Sequence, residues 1–93
     1  ADIISIEVEE KHCYIYTEKE KFVVLISLRK ILSLLGDKFC RTHRNHIVNI
    51  DHIQEIIPVD NLIILSGNRH ATLSDKYKDL IKKINTLRWF FRH

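Results

Sequence analysis

Apolar and polar residues alternate near the start of the chain, with Ile4, Ile6 and Val8 on one side of an extended backbone and Ser5 and Glu7 on the other. The polar stretch Glu9 to Lys11 reads as a turn. His12 to Thr17 resumes the alternation, setting Tyr14 and Tyr16 against Cys13 and Ile15, and the charged run Glu18-Lys19-Glu20-Lys21 marks a second turn. Phe22 to Ile26 is apolar throughout, the pattern of a strand covered on both faces. These segments predict a β-meander.

The period changes at Ser27. Its hydroxyl suits a helix N-cap, Leu28, Ile31, Leu32 and Leu35 share one helical face, and Gly36 stands where a positive φ ends a helix. Strand composition returns over Phe39 to Val48, Ile53 to Ile57 and Leu62 to Leu65, divided by the turn segments Pro58 to Asn61 and Ser66-Gly67-Asn68. A last short strand is expected from His70 to Leu73. Ser74 then suits the cap of a second helix, with Asp75 at its positive end and Tyr77, Leu80, Ile81, Ile84 and Leu87 at helical spacing. Trp89-Phe90-Phe91 closes it, and three adjacent rings cannot all face one core, so they either fold back on the sheet or meet a partner. No internal repeat occurs. The expected fold is mainly β with two short helices, one domain over residues 1–93.

With 93 residues, 45% of them hydrophobic and 29% charged, the chain can bury one small core and has no material for a second. No apolar run approaches the roughly 20 residues of a spanning helix, and the amino terminus lacks the basic start and apolar stretch of a signal peptide. The expected location is the cytoplasm. Cys13 and Cys40 form no Cys-x-x-Cys pair and sit in strand-like runs, which predicts buried, reduced thiols. The formal charge of +3 is modest but unevenly spread. Residues 1–20 hold six acids against two bases, and residues 61–93 hold seven bases against two acids, so the second region suits a polyanion.

The densest chemistry lies in Phe39-Cys40-Arg41-Thr42-His43-Arg44-Asn45-His46-Ile47-Val48-Asn49. Arginine offers a planar fork of donors for a phosphate or for the acceptor pair of guanine, and histidine and asparagine give shorter, directional bonds. If the run stays extended, Arg41, His43 and Asn45 share one side and Thr42 and Arg44 the other. Arg69 and His70, after the Gly67-Asn68 turn, are further phosphate candidates, and Asn49 suits a turn-stabilising role. Two rival readings use the same residues. One is a protein-interaction module that docks through Tyr14, Tyr16 and Trp89-Phe90-Phe91. The other is a metal site on His43, His46 and His52, which the spacing disfavours because residues three apart on a strand face opposite sides. With two glycines, no Gly-rich phosphate loop and no Gly-x-Ser-x-Gly elbow, nothing in the chain activates a nucleophile.

The central run also resembles the signature of the LytTR family of bacterial DNA-binding domains, a Phe-x-Arg-x-His-Arg-Ser-aromatic-aliphatic-Val-Asn pattern, with Asn45 in place of the frequent serine and His46 in place of the aromatic. Ile3 to Glu7, Ser27-Leu28, Ile53 to Ile56 and Leu73-Ser74 are similar to the family's first strand, helix start, following strand and final-helix entry. The resemblance implies an elongated strand core that sets three loops into successive major grooves, without catalysis or cofactor. Its partner would be double-stranded DNA, with copies pairing on direct repeats and a receiver domain or other signalling module in a longer chain. An upstream strand that members often contribute is expected to be missing here. The first base contact falls on His12 or, offset by one residue, on Lys11 or Cys13, and the second on Arg44. The third, at the final-helix entry after Ser74, falls on Lys76, because Asp75 stands where the family commonly has a basic residue.

Overall fold

The computed structural model describes residues 2–78. Among these, β1 (Ile3–Glu9), β2 (His12–Thr17) and β3 (Lys21–Val24) form the expected meander and lead into α1 (Leu28–Leu35). Then follow β4 (Phe39–His43), β5 (His46–Asn49), β6 (Ile53–Ile57), β7 (Leu62–Leu65) and β8 (Arg69–Thr72), with short 3-10 turns at Ile50–His52, Pro58–Asp60, Ser66–Asn68 and Asp75–Tyr77. The strands build a five-stranded antiparallel sheet in the order β3-β2-β1-β5-β4 and a three-stranded sheet in the order β6-β7-β8. The body is elongated, 40 × 27 × 23 Å along its principal axes.

The five-stranded sheet has two covered faces. One carries Ile4, Cys40 and Val48 against Ile53, Ile63, Leu65 and Ala71 of the smaller sheet. The other carries Ile6, Cys13 and Ile47 against Leu28 and Ile31 of α1. Ile4 and Ile6 therefore face opposite ways, contrary to strict alternation. The pairing of β1 with β2 shifts register between Ile3 and Ser5, and this bulge turns Ile4 toward the smaller sheet while Ile6 and Val8 stay under the helix.

The helix ends as its sequence predicts. Ser27 accepts a hydrogen bond from the Lys30 amide at 3.2 Å, and Gly36 closes the helix at φ 84 and ψ −167, a conformation essentially confined to glycine. Residues 22–26 do not behave as a strand covered on both faces. β3 ends at Val24 and lies at the sheet edge, with Phe22, Val23, Leu25 and Ile26 exposed. An apolar run of this length marks strand propensity but not what covers it, and here it supplies the outermost strand of the sheet, of which Val24 alone packs against the core under α1.

Cys13 and Cys40 are buried, unpaired thiols. Burial pushes the Cys40 thiol up to about 11 and also raises that of Cys13. Asn49 is buried and bridges two elements: Nδ2 donates to the Ile3 carbonyl at 2.8 Å, and Oδ1 accepts from the Asp51 amide at 3.0 Å. Where a second helix is expected to start, the described residues form the turn Asp75–Tyr77, and Tyr77 packs against the inter-sheet core. Ser74 occupies the cap position but its hydroxyl makes no capping bond; its backbone amide instead donates to the Thr42 carbonyl at 2.8 Å. Leu80, Ile81, Ile84, Leu87 and Trp89-Phe90-Phe91 lie outside the described residues.

Candidate nucleic-acid interface

Three connections converge on one groove of roughly 570 Å³. The β1–β2 turn contributes Lys11 and His12, the β3–α1 connection contributes Leu25 and Ile26, the first turn of α1 contributes Arg29, and the β4–β5 hairpin contributes Arg41 and Arg44. Among the described residues no carboxylate lines it. A concave surface that gathers cations without a counter-charge concentrates positive potential where an anion would sit.

The β1–β2 turn is tight and strained. Glu10 and Lys11 both take positive φ, 48° and 73°, as a two-residue hairpin of the twist-compatible type requires. Non-glycine residues pay roughly 1 kcal/mol or more each for that conformation. The turn sets His12 on the rim, exposed, with Nδ1 3.1 Å from the Glu10 carbonyl. A ring that donates from Nδ1 leaves Nε2 to accept a hydrogen bond when neutral and to donate one when protonated.

The β4–β5 hairpin is held from three directions. Arg41 donates from Nε to the His43 carbonyl at 3.4 Å and from Nη2 to the Arg44 carbonyl. His43 Nδ1 accepts from the Asn45 amide at 3.1 Å, and the Asn45 carbonyl accepts from the Val8 amide at 2.9 Å. These bonds occupy Arg41, His43 and the Asn45 backbone, and Arg44 is the exposed member of the set. Simple alternation would place Arg41 and Arg44 on opposite sides, yet both line the groove. The register irregularity between Arg41 and His43 and the turn at Arg44-Asn45 break the two-residue period. Thr42 is fully buried between these positions.

The remaining candidates lie elsewhere. Arg69 Nη2 is 3.0 Å from Glu7 Oε1, and its guanidinium lies 3.3 Å from the centre of the Tyr16 ring. That engagement takes it out of the groove-lining cations. Tyr16 in turn donates its hydroxyl to Glu9, whose carboxyl is held low by that bond and by Lys21. Lys76 is exposed in the Asp75–Tyr77 turn and is not among the groove residues. Asp75 pairs with Lys78 at 2.8 Å, which keeps its carboxyl below the usual range. His46 packs 5.4 Å from His43, ring centre to ring centre, and its Nδ1 accepts from the Thr72 amide at 3.1 Å. Burial lowers the pKa of His46, with Glu7 at 3.8 Å opposing that shift. Among the described residues, no group of three His, Cys, Asp or Glu side chains is placed to hold a metal ion. No helix among them is long and apolar enough to cross a membrane.

Arg29 is the groove residue that sequence reasoning missed. It sits in the first turn of α1, a turn with no acidic residue. A cation at the positive end of a helix is mildly unfavourable for the helix itself, and that local cost is the signal that could have singled it out.

Residues 1–85 match the family described as the LytTr DNA-binding domain. Over 58 residues the chain is 36% identical to the transcriptional regulatory protein YpdB of Escherichia coli O6:H1, a match covering 61% of this chain and 24% of that protein's length. The LytTr DNA-binding domain of a Bacillus cereus protein described as a methyl-accepting/DNA response regulator superposes with a TM-score of 0.80 at 28% identity, covering 88% of this chain and 79% of the other. The cation-lined groove thus sits on a chain that belongs to the LytTR family of DNA-binding domains, a non-enzymatic family.

Proposed function

We propose that residues 1–93 act as one sequence-reading unit of a cytoplasmic regulator, in which the groove between the β1–β2 turn, the β3–α1 connection and the β4–β5 hairpin receives duplex DNA. The supporting observation is the convergence of Lys11, His12, Arg29, Arg41 and Arg44 on one surface that carries no carboxylate among the described residues. Arg44, exposed on a turn whose backbone is pinned by Arg41, His43 and Val8, reads a base edge, with the acceptor pair of guanine as its natural partner. His12 supplies a second base contact from the facing turn. Lys11, Arg29 and Arg41 hold phosphates, and Ser74 and Lys76 meet the backbone or a base further along the duplex. Asn45 contributes a side-chain contact beside Arg44.

Affinity on this reading is mainly electrostatic. Neutralising ~6 phosphates would give a slope of roughly −5 for log affinity against log salt, and each base-reading side chain adds about 1–3 kcal/mol of discrimination. Copies pair on direct repeats, and a receiver domain or other signalling module controls them in a longer chain; the response-regulator description of the Bacillus cereus relative supports that arrangement. The test is a duplex selected from a random pool and titrated at fixed salt beside an unrelated duplex. Arg44→Ala should weaken the selected duplex by about tenfold or more and the unrelated one far less. Equal loss on both would reduce Arg44 to a phosphate contact.

A further inference from the structure

We infer that the β3–α1 connection is an additional base-reading segment, in which Leu25, beside Ile26, packs on the C5-methyl group of a thymine in the major groove. This inference rests on DNA occupying the groove described above. Leu25 is 90% exposed and Ile26 45% exposed, and neither belongs to a buried core cluster. Leu25 lies past Val24, the last residue of β3 to pair with β2, so the sheet does not need its side chain. Two adjacent aliphatic residues held in water are unfavourable unless something covers them.

The surroundings indicate the cover. Leu25 and Ile26 line the same groove as His12, Arg29 and Arg44, and among the described residues no acidic one joins them. An apolar spot framed by cations matches the floor of the major groove, where the thymine methyl is the apolar protrusion among base-edge donors and acceptors and phosphates run along both rims. A protein partner of ordinary composition would have to present carboxylates around a hydrophobic knob to fit as well. Duplex DNA has that arrangement at every thymine.

The experiment removes one methyl at a time. A duplex selected from a random pool is remade with each thymine replaced singly by deoxyuridine, and dissociation constants are measured for the wild-type chain and for Leu25→Ala. Burial of one methyl corresponds to about a fourfold change in affinity, so wild type should bind about fourfold more weakly at one thymine, while Leu25→Ala should bind the thymine and uracil duplexes equally there. Because Leu25 is almost wholly exposed, the variant should keep the wild-type circular dichroism spectrum. No thymine-to-uracil difference in wild type, or an undiminished difference in Leu25→Ala, would overturn the inference while leaving DNA binding intact. Failure of the pool to yield any bound duplex would overturn the groove reading itself, and this inference with it.

Discussion

Arg69 and Glu7, 62 positions apart in sequence, meet at 3.0 Å and tie the edge of the three-stranded sheet to the middle of the five-stranded one. Glu7 keeps only 14% of its side chain exposed and Arg69 27%, so the pair is partly shielded, and the Tyr16 ring covers one face of the guanidinium. Arg69→Ala would leave Glu7 shielded without that cation. It should cost about 1–3 kcal/mol of stability, as read from urea denaturation. Per folded molecule, DNA affinity and its salt slope should stay near wild type. A slope shallower by about 0.9 would show that Arg69 holds a phosphate instead.

His46 gives stability a pH dependence. Its folded pKa lies below the ordinary 6.5 because the ring is buried, with the neighbouring His43 and Arg69 adding to that effect against the opposing pull of Glu7. The unfolded chain therefore binds the proton more readily than the folded one. This contribution to stability is complete above about pH 6.5 and is lost as pH falls through that value toward the folded pKa. The urea midpoint should decline from pH 7 to pH 5. His46→Gln, which can still accept from the Thr72 amide, should decline less steeply over the same range. Parallel curves would place the titration on another group.

Asn49 closes the inter-sheet side of the fold by donating to Ile3 and accepting from Asp51. Asn49→Ala removes both bonds from a buried position and should cost about 1–3 kcal/mol. At this chain length that corresponds to a drop in Tm of roughly 4–8 °C for each kcal/mol. Binding of the selected duplex below the new Tm should be unchanged. A stable variant with weakened binding would move Asn49 from the scaffold to the interface.

The parts of this fold that were legible in the sequence are those set by local chemistry. β2, β6 and β7 run over the residues that alternation and flanking turn residues mark, and Ser27 and Gly36 bracket α1 as capping rules require. Non-local facts were not legible. The bulge that sends Ile4 and Ile6 to different cores depends on pairing with β2, and the exposure of Leu25 depends on which strand lies at the edge. At the candidate site, Arg44 and His12 stood out by residue type and position. The bracing role of Arg41 arises from its bonds to two carbonyl groups within the hairpin, a geometry that residue type does not encode. Arg29 reaches the groove because the chain folds α1 beside a turn distant in sequence.

Lys11 combines a strained backbone with a place in the cationic groove. It holds φ at 73° in the β1–β2 turn and lines the cationic groove. Glycine adopts that conformation without steric penalty and is favoured at the second position of such a hairpin, although it adds freedom to the unfolded chain. Lys11→Gly should therefore raise stability by about 0.5–1 kcal/mol net while removing one cation from the groove. The salt slope should become shallower by about 0.9, and affinity at low salt should fall for selected and unrelated duplexes alike. Thermal melts and titrations at two salt concentrations separate the two effects. Loss confined to the selected duplex would assign a base contact to Lys11, and an unchanged slope would place Lys11 away from the bound backbone.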